Sequence, residues 1–308
     1  MPPIRVVFMG TAPFAVPSLE ILAEHGYPIP AVVTGPDRPR GRGREISPTA
    51  VKVAALSLGI PVLQPERLRD PGFAGALRSL DPALIVVVAF RILPPEVFRI
   101  PRCGAINLHA SLLPRYRGAA PINRAIMNGE GETGVTTFFL EESVDTGNVL
   151  LQARTPIQPD DDAGTLHDRL AEVGAEVVLH TVRLIEQGKA VPRAQDPALA
   201  SPAPKIFRED CRIDWNRPAE RIRNHIRGLS PSPAAFTMHD GKVLKIFRAR
   251  AAAGALAPGT VEAGRGTLLV GTADHPLALE DLQQEGKKRM TVVEFLRGYK
   301  ISTGDRLG

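Results

Sequence analysis

Short and almost uniformly apolar segments recur along the first third of the chain. Residues 4–9, 30–34 and 84–90, which read IRVVFM, PAVVT and LIVVVAF, are of this kind. Such runs are typical of strands that are buried on both faces of a parallel sheet. Between them, apolar residues recur at helical spacing, as at Leu19 and Leu22. The alternation of strands and helices predicts a doubly wound α/β domain with a mostly parallel sheet.

A different pattern follows this domain. A long helix is predicted over 164–188, and segment 191–204, with four prolines and little periodicity, predicts an extended, semi-stiff linker. Beyond the linker, a helix start at Pro218 and short alternating strands with a turn at Asp240-Gly241 predict a small β-barrel. The predicted division is an α/β domain, a linker and a barrel domain, at 1–190, 191–206 and 207–308.

Charge is distributed unevenly along the chain. Residues 201–308 carry 18 Lys and Arg against 12 Asp and Glu, whereas residues 1–200 carry 20 against 21. The formal net charge of +5 therefore arises in the last third. This asymmetry favours an acidic macromolecular partner, with nucleic acid the leading candidate. A basic surface that serves only solubility explains the charge alone equally well.

Several classes of protein are disfavoured. No apolar run approaches the roughly 18 residues that a membrane-spanning helix needs, and the first ten residues predict a buried strand and not a signal peptide. Cys103 and Cys211 lie far apart without metal-like spacing, which predicts no metal site and a reducing, cytoplasmic location. Ala12 and Ala15 occupy positions where a dinucleotide-binding loop needs glycine, which disfavours an NAD-dependent enzyme. Nothing in the pattern demands more than a monomer.

Candidate chemistry lies between residues 104 and 147. If 105–109 is a strand, Asn107 and His109 project from one face near its carboxyl end, where open α/β sheets bind ligands. A carboxamide beside an imidazole suits a reaction that places negative charge on a carbonyl oxygen. Downstream, Asp145 could orient His109, favour its charged form or pass a proton through water. Taken singly, each residue also has an ordinary structural explanation as a backbone partner, a core histidine or a turn residue.

These residues lie within two motifs at fixed spacing. Residues 107–122 read N-L-H-A-S-L-L-P-R-Y-R-G-A-A-P-I, and residues 142–149 read E-S-V-D-T-G-N-V. Together the motifs closely resemble the folate-dependent formyltransferases. The resemblance implies that Asn107, His109 and Asp145 form the catalytic set and that 10-formyltetrahydrofolate is the co-substrate. It also implies a folate site that includes Phe90, Arg91, Leu93, Ser111, Leu112, Leu113 and Pro114.

Further segments, at 35–45, 204–215 and 282–298, resemble the branch of this family that formylates the methionyl amine of charged initiator tRNA. The first alternates arginine with proline and glycine, and arginine offers forked donors to phosphates and base edges. The resemblance implies that this loop reaches the acceptor stem, with Arg42 nearest the bases. It also implies that the second domain is an OB-like barrel that contacts phosphates. The implied tRNA contacts are Arg38, Arg40, Arg42, Arg44, Lys205, Arg208, Lys242, Lys245 and Arg248.

Two stretches depart from the family pattern. Phe90-Arg91 stands where many relatives have Tyr-Gly, which alters the expected shape of the pterin pocket. Pro231-Ser-Pro-Ala234 stands where Pro-Trp-Pro-Gly is common, which removes an aromatic ring from the second domain.

Other functions remain open on this pattern. A formyltransferase acting on an amino sugar or glycinamide ribonucleotide would use the same Asn-His-Asp set without needing the arginine loop. Two further alternatives are an RNA-binding protein with an inactive catalytic fold and a hydrolase that releases formate from the folate.

Overall fold

The computed structural model describes residues 3–40 and 45–308, with the backbone alone described for Arg40 and Glu45. The described chain divides into two compact units. The first unit comprises Met1–Gly118, Thr133–Thr155 and His167–Ala203. The second comprises Ala119–Glu132, Pro156–Leu166 and Pro204–Gly308.

Strands and helices alternate in the first part of the chain, and strands dominate after residue 230. The strands are β1 Val6–Gly10, β2 Val32–Val33, β3 Arg38–Arg40, β4 Glu45–Ser47, β5 Val62–Leu63, β6 Leu84–Val88, β7 Ala105–His109, β8 Glu132–Phe139, β9 Val149–Pro156, β10 Ala235–His239, β11 Lys242–Ala251, β12 Val261–Ala263, β13 Leu268–Val270, β14 Leu277–Gln284 and β15 Met290–Thr291. The helices are α1 Val16–Glu24, α2 Ala50–Ser57, α3 Pro71–Ser79, α4 Pro95–Phe98, α5 Pro121–Met127, α6 Ala163–Glu186, α7 Ala219–Leu229 and α8 Val292–Gly298.

The main sheet confirms the predicted doubly wound α/β fold. Within the described residues, seven strands form it in the order β5-β2-β1-β6-β7-β8-β9. Neighbouring strands from β5 to β7 are parallel, and β8 runs antiparallel to β7. The strand order reverses between β1 and β6, which is the switch point where open α/β sheets bind ligands.

Strand register brings three loops to that switch point. Gly10 pairs with Val88, and Val88 pairs with Leu108, so β1, β6 and β7 end at the same edge of the sheet. The chain leaves β6 through Ala89, whose φ of 47° turns it sharply toward Phe90. The segment after β7 begins with Ala110 at the same edge.

The centre of this sheet is fully apolar because helices cover both faces of parallel strands. Every residue of β1 and of β6 is buried. Helix α6, predicted over 164–188, is confirmed, and Gly188 with a φ of 65° follows its end. A Cβ at Gly174 would lie 2.6 Å from a methyl group of Leu108, so glycine lets the helix pack closely behind β7. This contact supports the strand that carries Asn107 and His109.

The proline-rich segment is extended and bound along the first unit. Arg193 forms an antiparallel bridge with Val149, and the Arg117 amide donates to the Ser201 carbonyl at 2.8 Å. Ala203 is fully buried. Arg193, Ser201 and Ala203 therefore have backbone hydrogen bonds to residues of the first unit.

In the second unit, a curled antiparallel sheet confirms the predicted small OB-like domain. Its strands run in the order β10-β11-β14-β13-β12, with β15 paired to β14. The predicted turn at Asp240 and Gly241 has positive φ at both residues, as a tight hairpin requires. The core of the unit includes Trp215 and Phe295, both almost fully buried. None of the helices described within 3–40 and 45–308 is both long and apolar enough to cross a membrane.

Candidate active site

Strand β7 carries two of the predicted catalytic side chains on one face, as its twofold repeat requires. Asn107 is partly exposed, and its carboxamide has no hydrogen-bond partner within the described part of the chain. His109 lies one repeat further on and is 6% exposed. A free amide next to a buried imidazole can offer N–H donors to one reacting oxygen.

Both ring nitrogens of His109 face oxygen atoms. Nε2 lies 2.8 Å from the carbonyl oxygen of Tyr116, and Nδ1 lies 3.8 Å from Oδ2 of Asp145. A carbonyl oxygen can only accept, so Nε2 carries a hydrogen and donates it to Tyr116. The distance from Nδ1 of His109 to Oδ2 of Asp145 is longer than a direct hydrogen bond. A reacting group can therefore contact both side chains.

The position of the Asp145 carboxylate depends on the backbone conformation of Asp145 and on a hydrogen bond from the preceding motif. Its φ of 56° is left-handed, a conformation that aspartate tolerates better than most residues. Its Oδ2 accepts a hydrogen bond of 2.8 Å from the Gly118 amide. The carboxylate is 12% exposed, so a proton it takes up lies largely out of bulk solvent.

Gly147 fixes the path of the loop that carries Asp145. A Cβ at this position would lie 1.7 Å from the carbonyl oxygen of Phe139, which no side chain could tolerate. Residues 140–148, called here the Asp145 loop, therefore return to the sheet at one defined point. This close approach explains why glycine follows Asp145 and Thr146 in the motif.

The segment after β7, predicted to line the folate site, is anchored by side chains of β8 and β9. Thr136 donates to the Ser111 carbonyl at 2.6 Å and accepts from the Leu113 amide at 3.1 Å. Gln152 donates to the Leu113 carbonyl at 2.8 Å. Ser111 is fully buried, and its hydroxyl donates to the Arg115 carbonyl at 2.6 Å. The Ser111 side chain thus supports the segment, while Leu112 and Pro114 are only partly buried.

The departure at Phe90-Arg91 has a structural explanation. The Arg91 guanidinium donates to the carbonyl oxygens of Pro65, at 2.8 Å, and Glu66, at 3.0 Å. Burial lowers the pKa of this guanidinium from its ordinary value. Arg91 therefore ties the end of β6 to the segment after β5, a contact that glycine could not make. Leu93, predicted to lie in the same pocket, is buried.

The predicted arginine loop is in part a hairpin, since Arg38 pairs with Ser47 and Arg40 with Glu45 across β3 and β4. Its base is fixed at Asp37, which binds the Lys52 ammonium and accepts from Gln64 at 2.8 Å. The exposed Arg38 side chain lies 3.6 Å from Glu66. Arg42 and Arg44 fall outside the described residues.

The predicted tRNA contacts of the second unit fall into two kinds. Within the described chain, four of them have no carboxylate partner: Lys205, Arg208, Lys242 and Lys245. Arg248 instead pairs with Glu280 at 3.0 Å. Aromatic rings accompany two of the unpaired cations, because Lys205 lies 5.6 Å from the ring centre of Phe207 and Arg208 lies 5.9 Å from that of Phe236.

Several residues that build the site were not predicted. The Tyr116 carbonyl and the Gly118 amide lie inside the R-Y-R-G motif, but their contacts are made by the backbone. The Thr136 and Gln152 side chains act from strands that carry no motif. Only the fold brings these groups to His109, Asp145 and the segment after β7.

Comparison with family models assigns both parts of the chain. Residues 4–182 match the formyl transferase model, and residues 205–300 match the model of the formyl transferase C-terminal domain.

Known relatives match along the whole chain. Methionyl-tRNA formyltransferase of Citrifermentans bemidjiense is 49% identical over 307 residues, covering 99% of this chain and 96% of the relative. That of Geotalea uraniireducens is 50% identical over 307 residues, covering 99% and 98%. Among solved structures, HypX from Aquifex aeolicus in complex with tetrahydrofolic acid has a TM-score of 0.67 at 20% identity and covers 98% of this chain. The chain spans about half the length of HypX, and this likeness concerns the fold alone.

Proposed function

The chain belongs to the formyl transferase family, and we propose that it transfers the formyl group of 10-formyltetrahydrofolate to the α-amine of methionyl initiator tRNA. The two relatives named methionyl-tRNA formyltransferase are 49% and 50% identical to this chain, and the similarity extends through both units. The observation that carries the proposal is the match to these relatives through both units, and the approach of His109 Nδ1 to Asp145 Oδ2 at 3.8 Å beyond β7 supports it. The product would serve the initiation of protein synthesis.

Asn107 and His109 stabilise the charge that develops when the neutral methionyl amine attacks the formyl carbon. The Asn107 amide donates to the formyl oxygen, and Nδ1–H of His109 donates to the same atom while Nε2–H stays on the Tyr116 carbonyl. Each donor of this kind lowers the barrier by about 3 kcal/mol. The free carboxamide therefore fits the formyl group of the folate co-substrate.

Asp145 handles the proton that the amine must lose. Its carboxylate accepts this proton as the new carbon–nitrogen bond forms and returns it to N10 of the folate as the bond from N10 to the formyl carbon breaks. Formylmethionyl-tRNA and tetrahydrofolate result, with no covalent enzyme intermediate and no step that requires a metal. The Gly118 amide keeps the carboxylate in position throughout.

The second unit supplies a phosphate-binding surface for the tRNA. Lys205, Arg208, Lys242 and Lys245 are suited to this role because no carboxylate of the described residues pairs with them. Arg248 contributes less, since its guanidinium already forms an ion pair with Glu280. We propose that the protein acts as a monomer in the cytoplasm.

Replacing Lys242 and Lys245 together by alanine is expected to weaken tRNA binding about three- to tenfold and to leave kcat unchanged. The slope of log affinity against log salt should fall by about one for each lysine removed. Binding titrations of charged tRNA over a salt series measure both. The exposed Lys189 at the end of α6 provides the control as Lys189→Ala. Unchanged affinity and slope in the double variant would exclude this surface.

Exchange of the arginine hairpin tests whether the formyl acceptor is tRNA or a small amine. Exchange of residues 38–44 for a Gly-Ser segment of equal length should lower kcat/KM for charged tRNA about 10- to 100-fold, since a bidentate arginine contact contributes about 1–3 kcal/mol. Folate affinity should stay the same. An enzyme that acts on glycinamide ribonucleotide or an amino sugar would tolerate the exchange. Parallel transfer assays with all these acceptors distinguish the two functions.

A further inference from the structure

The polar residue Gln195 is placed against the usual pattern of burial. Residues 191–200 are all described, and Gln195 is the one among them that is not exposed. Apolar neighbours in the same segment face solvent, with Val191 68% and Leu199 61% exposed. A polar side chain is turned inward beside exposed apolar ones only when it makes specific hydrogen bonds.

The Gln195 carboxamide satisfies its hydrogen-bonding capacity at the Asp145 loop and at Arg117. Nε2 donates to the carbonyl oxygens of Asp145, at 2.9 Å, and Gly147, at 2.8 Å. Oε1 accepts from Nε and Nη2 of Arg117, at 3.1 and 2.7 Å. One side chain thus holds two carbonyls of the loop and the residue that directly precedes Gly118.

These contacts flank the hydrogen bond that positions the Asp145 carboxylate. Gly118 donates to that carboxylate, so Gln195 fixes the acceptor residue through its carbonyl and the donor residue through its chain neighbour Arg117. Asp145 is also in a left-handed conformation, which persists only where surrounding contacts hold it. The amide of Gln195 is such a contact, made to the carbonyl of Asp145 itself.

We infer that Gln195 is a positioning residue for formyl transfer, which holds the Asp145 loop so that the carboxylate meets His109. The inference rests on the proposed function for its kinetic consequence and on geometry alone for the order of the loop. The segment that leads to the second unit thereby contributes directly to the catalytic geometry.

Gln195→Met keeps the length of the side chain and removes both hydrogen-bonding ends. Its kcat should fall about 10- to 100-fold, because a displacement of roughly 1 Å at a reacting group can cost a hundredfold in rate. KM for charged tRNA and for the folate should change less than about twofold. The melting temperature should fall by only a few degrees, since the hydrogen bonds that are lost are part-buried and water can replace some of them.

Gln195→Glu distinguishes the loop contact from the Arg117 contact. The glutamate still accepts from Arg117 but places an oxygen opposite the carbonyls of Asp145 and Gly147. Its kcat should fall at least as far as that of Gln195→Met. Wild-type kcat in Gln195→Glu would overturn the inference, because it would show that only the Arg117 contact matters. Gln187→Met, at an exposed position after α6, is the matched control and should be fully active.

Hydrogen exchange of backbone amides tests the same inference without tRNA or any other formyl acceptor. Amides of residues 140–148 should exchange faster in Gln195→Met than in the wild type, while those of β6 and β7 should not change. Unchanged exchange in the loop would overturn the inference whatever the activity. If the wild-type protein failed to formylate charged tRNA, the proposed function would fall while faster loop exchange would still support the positioning role.

Discussion

Replacement of Asn107 by alanine is expected to lower kcat for formyl transfer about 100- to 1,000-fold, the usual effect of removing one donor to a developing oxyanion. The described part of the chain offers the Asn107 side chain no hydrogen-bond partner, so the free energy of unfolding should hardly change. KM for charged tRNA should also stay the same, because the tRNA surface lies on other residues. Single-turnover transfer and thermal unfolding measure these effects.

Asn107→Asp is the matched variant because it keeps the shape of the side chain and removes both N–H donors. It should be at least as slow as Asn107→Ala, since a carboxylate would face the oxyanion. Substantial activity in Asn107→Asp would contradict a donor role. Equal losses of kcat and of tRNA affinity in Asn107→Ala would contradict it as well.

The second large effect is expected at Asp145. Asp145→Asn keeps an oxygen that can accept from Gly118 but removes the group that takes up the amine proton. The turnover number should fall about 100- to 10,000-fold, the range in which general acid–base groups contribute. Steady-state kinetics with both substrates saturating measure this loss.

The chain offers a matched control in a second His–Asp pair. His167 and Asp168 lie 2.9 Å apart, and the Asp168 side chain is 85% exposed. Asp168→Asn removes the same charge from the same kind of pair at a largely exposed side chain and should leave turnover unchanged. Comparable losses in Asp145→Asn and Asp168→Asn would indicate a general effect of charge and not a specific proton acceptor.

The fold was predictable from sequence where one local pattern decides the structure. Strands β1 and β6 are continuous apolar runs. In β7, successive side chains alternate between the two faces of the sheet, so Asn107 and His109 lie on the same face. The tight turn at Asp240-Gly241 follows from residues that adopt positive φ readily. In each case the signal lies within about ten neighbouring residues, so no distant contact is needed to interpret it.

Contacts between distant parts of the chain left no comparable signal. Gln195 lies 50 residues beyond Asp145 in the sequence, in a segment whose prolines predict only an extended backbone. Thr136 and Gln152 support the segment after β7 from strands whose sequence shows only alternation. Arg91 departs from the family pattern, and its carbonyl partners at Pro65 and Glu66 are visible only in the folded chain.

The most direct test of the central claim is formyl transfer from 10-formyltetrahydrofolate to methionine-charged initiator tRNA. Uncharged tRNA, glycinamide ribonucleotide and an amino-sugar nucleotide serve as parallel acceptors. We expect formylation of the charged tRNA alone, at a rate that Asn107→Ala and Asp145→Asn reduce as described above. Transfer to a small amine with none to charged tRNA would contradict the assigned acceptor, and no transfer to any amine would contradict the assigned reaction.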